Sequence, residues 1–172
     1  MPSRVRKLAL TAHLTVSVGW IGAVVAFIVL VIAAWTTHDE QVLRSAWIAM
    51  WAIGLYAIAP LAIATLATGL VMALGTGWGL FRHYWVLISF VLTVLATVVL
   101  LANLRTVSAF ADLASRSGRD VAVVLLGGLP GELLHSGLGL IVLLVVQVLN
   151  VYKPRGMTRR GQRRRVRTVG EQ

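Results

Sequence analysis

The chain has 172 residues, of which 58% are hydrophobic and 13% charged, with a formal net charge of +10 and no cysteine. A mean hydropathy of +0.85 over that length leaves little for a soluble domain once the apolar segments are assigned. The absence of cysteine excludes disulfides, thiolate metal centres, iron–sulfur clusters and covalently attached haem; a metal or haem would have to be held by His, Met, carboxylate or backbone groups.

Four runs lack Asp, Glu, Lys and Arg altogether: 8–37, 45–81, 83–104 and 133–152. A hydrocarbon core about 30 Å thick takes roughly 20 apolar residues at 1.5 Å rise each, so every run is long enough to cross. The expected fold is all-α, an antiparallel four-helix transmembrane bundle with both termini cytoplasmic. Its spans are predicted at about 8–34, 47–74, 83–104 and 130–152, within one membrane domain over 1–158 and ahead of a basic, disordered tail over 159–172. The first run far exceeds the roughly 7–15 apolar residues of a secretion signal and is read as a span.

In span one, His13 and Trp20 stand seven residues apart, two turns along one helix face, with Gly22 just beyond. A ring, an indole and a glycine gap suit a flat cofactor lying on the helix, and equally suit tight helix packing. Span two carries Pro60 near its middle, where a lost hydrogen bond predicts a kink. Its second half, Thr65, Thr68, Gly69, Met72 and Ala73, forms a strip of small residues for close helix approach, and Gly75, Gly77 and Gly79 end the helix. Span three carries Ser89, Thr93 and Thr97 on one stripe. Beyond it, Val107, Phe110, Ala111 and Ala114 keep helical spacing, so the helix is expected to continue past the membrane until Ser117-Gly118. A short apolar piece over 121–126 is expected to lie on the outer face, either interfacial or re-entrant up to residue 129. Pro130 then suits the first position of the last helix, with Glu132 in its first turn. Ser136, Gln147 and Asn150 share a face of that helix, and both polar stripes are expected to face the bundle.

Charge distribution sets the orientation. Arg4, Arg6 and Lys7, then Arg82, then Lys153, Arg155, Arg159, Arg160, Arg163, Arg164, Arg165 and Arg167 fall on one side. Arg44, Arg105, Arg116 and Arg119 fall on the other, offset by Asp39, Glu40, Asp112, Asp120 and Glu132. The positive-inside rule makes the first side cytoplasmic, in a multi-pass protein of the plasma membrane. The basic residues after span four are expected to bind anionic lipid headgroups rather than nucleic acid. Trp35, Trp47 and Trp51 near the outer ends, with Trp78 and Trp85 near the inner loop, read as aromatic belts, and Trp20 lies deeper.

Histidine is the one titratable type expected inside the spans, and topology sorts the four into two pairs: His13 with His83, and His38 with His135. Two pairs at two depths is a layout for two haems or two metal sites, while a single interfacial histidine is also satisfied by water, lipid or a carbonyl. No carboxylate or lysine of the usual transporter kind is expected within the spans, and phosphate loops, nucleophile elbows and zinc-helix signatures are absent from the sequence.

The stretch from His13 to Gly22 resembles the His-x6-Trp-x-Gly opening of the copper-resistance-D-like superfamily, which includes the four-helix bacterial protoporphyrinogen oxidase. Pro60, the Thr68-Gly69-Leu70 turn and the stretch from Trp78 to Trp85 resemble the same group in order and spacing. The ending from Val151 to Thr158 is most similar to that of small actinobacterial integral membrane proteins. The resemblance implies haem b or copper as cofactor, His13 as a ligand and His83 or His135 as the second. It also implies a lysine in span three that is tied to oxidase activity. Ser89 stands at that position, which argues against porphyrinogen oxidation. Two functions are therefore expected. One is a haem- or copper-binding membrane protein using His13, Trp20, Gly22, His83 and His135, with His13, His38 and His135 as metal ligands. The other is a non-catalytic accessory or assembly subunit, anchored to anionic lipid and acting as a homodimer or within a larger membrane complex. A small-solute transporter is the third reading.

Overall fold

The computed structural model describes residues 2–75, 83–116 and 120–152. These are almost entirely helical. Helix α1 covers Ser3–Thr36, α2 covers Glu40–Ile53, a π-turn covers Gly54–Ile58, α3 covers Ala59–Gly75, α4 covers Tyr84–Ala114 and α5 covers Val121–Tyr152. Counting α2, the π-turn and α3 as one, four helices are long and apolar enough to cross a membrane. The chain is a multi-pass membrane protein. At 34 residues α1 is about 51 Å long, well beyond the hydrocarbon thickness.

Sequence spacing accounts for the bundle. On α1 the buried residues are Trp20, Val24, Phe27, Val31 and Ala34, alternating steps of four and three. On α5 they begin Leu125, Leu129, Glu132 and Ser136, with the same alternation. Side chains recurring at this period stay on one face and interlock with a neighbouring helix. Helix α1 packs against α2, α3 and α5, and α4 packs against α5, α2 and α3. Most other apolar residues point outward, as a lipid-facing surface requires.

The disturbance expected at Pro60 takes the form of the π-turn just before it. The Ala59 N–H reaches back to the Gly54 carbonyl, five residues away. Widening the turn relieves the clash between a proline ring and the carbonyl four residues earlier. Gly54 has a second role here: a Cβ at this position would lie 2.9 Å from Leu104 Cδ1 of α4.

The extension of α4 to Ala114 matches the sequence expectation, and Val107, Ala111 and Ala114 are buried along it. Arg44 of α2 secures its end. The guanidinium donates to the Ala114 carbonyl at 3.0 Å and to the Arg116 carbonyl, while Glu40 accepts from its Nε at 2.9 Å. A cation at a helix C-terminus satisfies otherwise orphaned carbonyls and opposes the helix dipole. Asp39 caps the start of α2 by accepting from the Gln41 N–H at 2.8 Å.

Two expectations need correction. The last helix begins at Val121, so residues 121–129 are neither a surface piece nor a re-entrant one, and Pro130 sits inside α5 rather than at its first position. Gly127-Gly128 does not break the helix because Gly128 lets Phe110 and Trp47 approach. A Cβ there would lie 2.7 Å from Phe110 Cζ and 3.1 Å from Trp47 Cζ2. Trp47 is also not a belt residue. It is fully buried and stacks on Phe110 with ring centroids 4.4 Å apart. Ser117, Gly118, Gly77, Gly79, Trp78, Arg82, Arg119 and the basic residues from Lys153 onward lie outside the described residues.

Candidate functional site

Two cavities open into the bundle, and Trp20 and Leu143 line both. The first, of about 210 Å³, is bordered by His13, Ser17, Thr65, Gly69, Trp85 and Ser89, among others. The second, of about 310 Å³, is bordered by Phe27, Gly54, Asn103, Glu132, His135 and Ser136, among others.

In the first cavity, Nδ1 of His13 lies 3.0 Å from Thr68 Oγ1. Thr68 Oγ1 also lies 2.7 Å from the Ala64 carbonyl; with its proton donated there, Thr68 accepts from His13 Nδ1–H, the roles following the His13 tautomer. A neutral ring protonated at Nδ1 presents its lone pair at Nε2. The strip of small residues on α3 makes this fit feasible, since a Cβ at Gly69 would come within 3.3 Å of His13 Cε1. Trp20 is 2% exposed, and its indole N–H has no hydrogen-bond partner among the described residues; the same holds for the hydroxyls of Thr65 and Ser89. All three residues line this cavity. Buried polar groups are nearly always satisfied, and leaving one bare costs about 1–3 kcal/mol. Elsewhere on the Ser89 stripe the expected local bonds are present: Thr93 donates to the Ser89 carbonyl at 2.7 Å and Thr97 to the Thr93 carbonyl at 2.8 Å. The indole N–H of Trp47 is likewise without a partner, although that residue lines neither cavity, and nothing in the structure explains it.

The second cavity contains a group that sequence reasoning misplaced. Glu132 is 3% exposed, twelve residues into α5, and its Oε2 accepts from Asn103 Nδ2 at 2.9 Å. The expectation that the spans hold no carboxylate is therefore wrong. Starting α5 at residue 130 put Glu132 in a solvated first turn; the run Leu125, Leu129, Glu132, Ser136 at helical spacing was the available signal.

Neither cavity is lined by both members of a predicted histidine pair. His13 lines the first cavity and His135 the second, with Trp20 and Leu143 common to both walls. His135 shares its cavity with Glu132 rather than with His38, which is exposed between α1 and α2. His83 immediately precedes α4, with its carbonyl accepting from the Leu87 N–H at 3.3 Å, and it is not part of the first cavity's lining. Of the predicted cofactor cradle, His13 and Trp20 do share one cavity. Gly22 is exposed, and a Cβ there would meet nothing within 4 Å, so it provides no close approach. Among the described residues no three His, Cys, Asp or Glu side chains cluster as metal ligands. Nothing in this arrangement supports haem or copper binding. Comparisons with protein-family models, curated proteins and solved structures find no match to this chain.

Proposed function

We propose that this is a ligand-binding membrane protein whose first cavity holds a lipid-soluble molecule with an apolar body and a carbonyl- or hydroxyl-bearing head. The lining of one apolar cavity by Trp20, Thr65 and Ser89, whose Nε1, Oγ1 and Oγ atoms are buried without a partner among the described residues, carries this reading. Trp20 supplies a donor, the two hydroxyls supply donor or acceptor capacity, and His13 Nε2 supplies an acceptor. Such a cavity is mostly apolar with a few placed polar groups, the usual make-up of a small-molecule site. Leu10, Leu14 and Val151 border it and face outward, which gives a ligand dissolved in the bilayer a lateral way in.

In this reading the N-terminal end of α1, and His13 with it, lies on the cytoplasmic side, supported by the basic residues of the N-terminus and tail. The resemblance of the first helix to the copper-resistance-D-like group keeps His13 as the residue to test, now as a hydrogen-bonding head-group partner. The experiment is purification of the full-length protein in mild detergent, followed by an absorption spectrum and a mass spectrum of the organic extract. A stoichiometric small molecule with a carbonyl or hydroxyl group and no Soret band is expected. A Soret band lost in His13→Ala would overturn this reading in favour of haem.

A further inference from the structure

Glu132 lies in the second cavity, away from the ligand site proposed above, and its surroundings pose a separate chemical problem. The carboxylate is almost wholly buried, yet Asn103 is the one described residue that donates to it, and only to Oε2. Among the described residues no Lys or Arg lines the cavity, and His135 is the one other titratable residue on its wall. The helices packed against α5 there contribute no opposing charge: α1 presents Trp20, Val24 and Phe27, the π-turn presents Gly54 and Ile58, and α4 presents Asn103 amid aliphatic side chains. A carboxylate placed so in apolar surroundings calls for a cation or a proton.

The shape of the cavity decides what kind of cation suits it. A metal ion would need several oxygen donors, and among the described residues the wall supplies one carboxylate, one amide oxygen and the Ser136 hydroxyl, which donates to the Glu132 carbonyl at 2.7 Å. Aliphatic side chains make up most of the wall instead. Indole and phenyl rings attract organic cations through their negative faces, and Trp20 and Phe27 both border the space. The mouth lies between α4 and α5, where Leu95, Val99 and Leu138 line the cavity while half or more exposed on the lipid-facing surface. We propose that the second cavity binds a lipophilic organic cation, entering laterally from the bilayer, with Glu132 as counter-ion and Trp20 and Phe27 as aromatic walls.

The test is equilibrium binding of tetraphenylphosphonium to the full-length protein in nanodiscs of neutral lipid. Saturable binding near one per chain is expected, weakened on the order of tenfold by Glu132→Gln, which keeps the shape and an acceptor for Asn103. Phe27→Leu removes a ring while keeping an apolar side chain, and a loss of about threefold is expected. Thr68→Val, beside the first cavity, leaves binding unchanged. Absence of saturable binding in the wild type, or equal binding by wild type and Glu132→Gln, would overturn the proposal. If Glu132→Gln does not yield folded protein, the Phe27→Leu result decides: affinity equal to wild type counts against it. Glu132 and Phe27 line the second cavity and not the first, so failure of this test leaves the His13 reading standing, and the reverse holds too.

Discussion

Asn103 Nδ2 donates a 2.9 Å hydrogen bond to Glu132 Oε2, tying α4 to α5 by a polar contact inside an apolar bundle. Truncating one partner of such a pair leaves the other bare, whereas replacing both with apolar residues removes the need for the bond. Asn103→Leu is expected to destabilise the protein by about 1–3 kcal/mol, and the double variant with Glu132→Leu to recover most of that loss. Thermal unfolding of the two singles and the double in one detergent checks this. Additive losses would contradict it.

Gly128 faces the stacked pair of Trp47 and Phe110 at a distance no Cβ tolerates. Gly128→Ala should push Phe110 out of the stack and cost about 1–3 kcal/mol, in the manner of an overpacked core. Combining it with Phe110→Leu should restore part of the loss, seen as a recovered unfolding midpoint.

Arg44 holds the end of α4 through two carbonyls and shares its charge with Glu40. Arg44→Gln removes the cation from the helix terminus, and a loss of about 1 kcal/mol is expected. Hydrogen exchange localises the effect: amides near Ala114 should exchange faster, while those at Trp20 stay protected.

Thr68 Oγ1 lies 3.0 Å from His13 Nδ1, and a Thr68 hydroxyl that donates to the Ala64 carbonyl accepts from the ring N–H. Thr68→Val keeps the volume and deletes the acceptor, at a cost of about 1 kcal/mol. Nitrogen-15 spectra of labelled histidine should show a neutral ring protonated at Nδ1 in the wild type and a shifted tautomer balance in the variant. A wild-type ring protonated at Nε2 would contradict the assignment.

Much of this architecture follows from the sequence, because the cost of bare backbone and charge in lipid dictates long apolar helices. The burial of Ser89, Thr93 and Thr97 and the extension of α4 to Ala114 follow from spacing alone. What misled was local punctuation. Gly127-Gly128 and Pro130 carry the signature of a break and a restart, but tertiary packing with Phe110 and Trp47 uses the glycine as a contact surface and keeps the helix whole. That error hid Glu132. Sorting the histidines by depth says which residues share a level, while only helix rotation says which of them share a cavity. His135 lines one cavity with Asn103 and Glu132, while Trp20 and Leu143 border both cavities.

The central claim, that the unpartnered groups around Trp20 hold a ligand, meets its most direct test in native mass spectrometry. Wild-type protein released from mild detergent should carry one adduct per chain of constant mass, and His13→Leu, purified alongside and equally well folded, should lose it. A bare wild-type chain, or the same adduct at the same occupancy in both samples, would contradict the account.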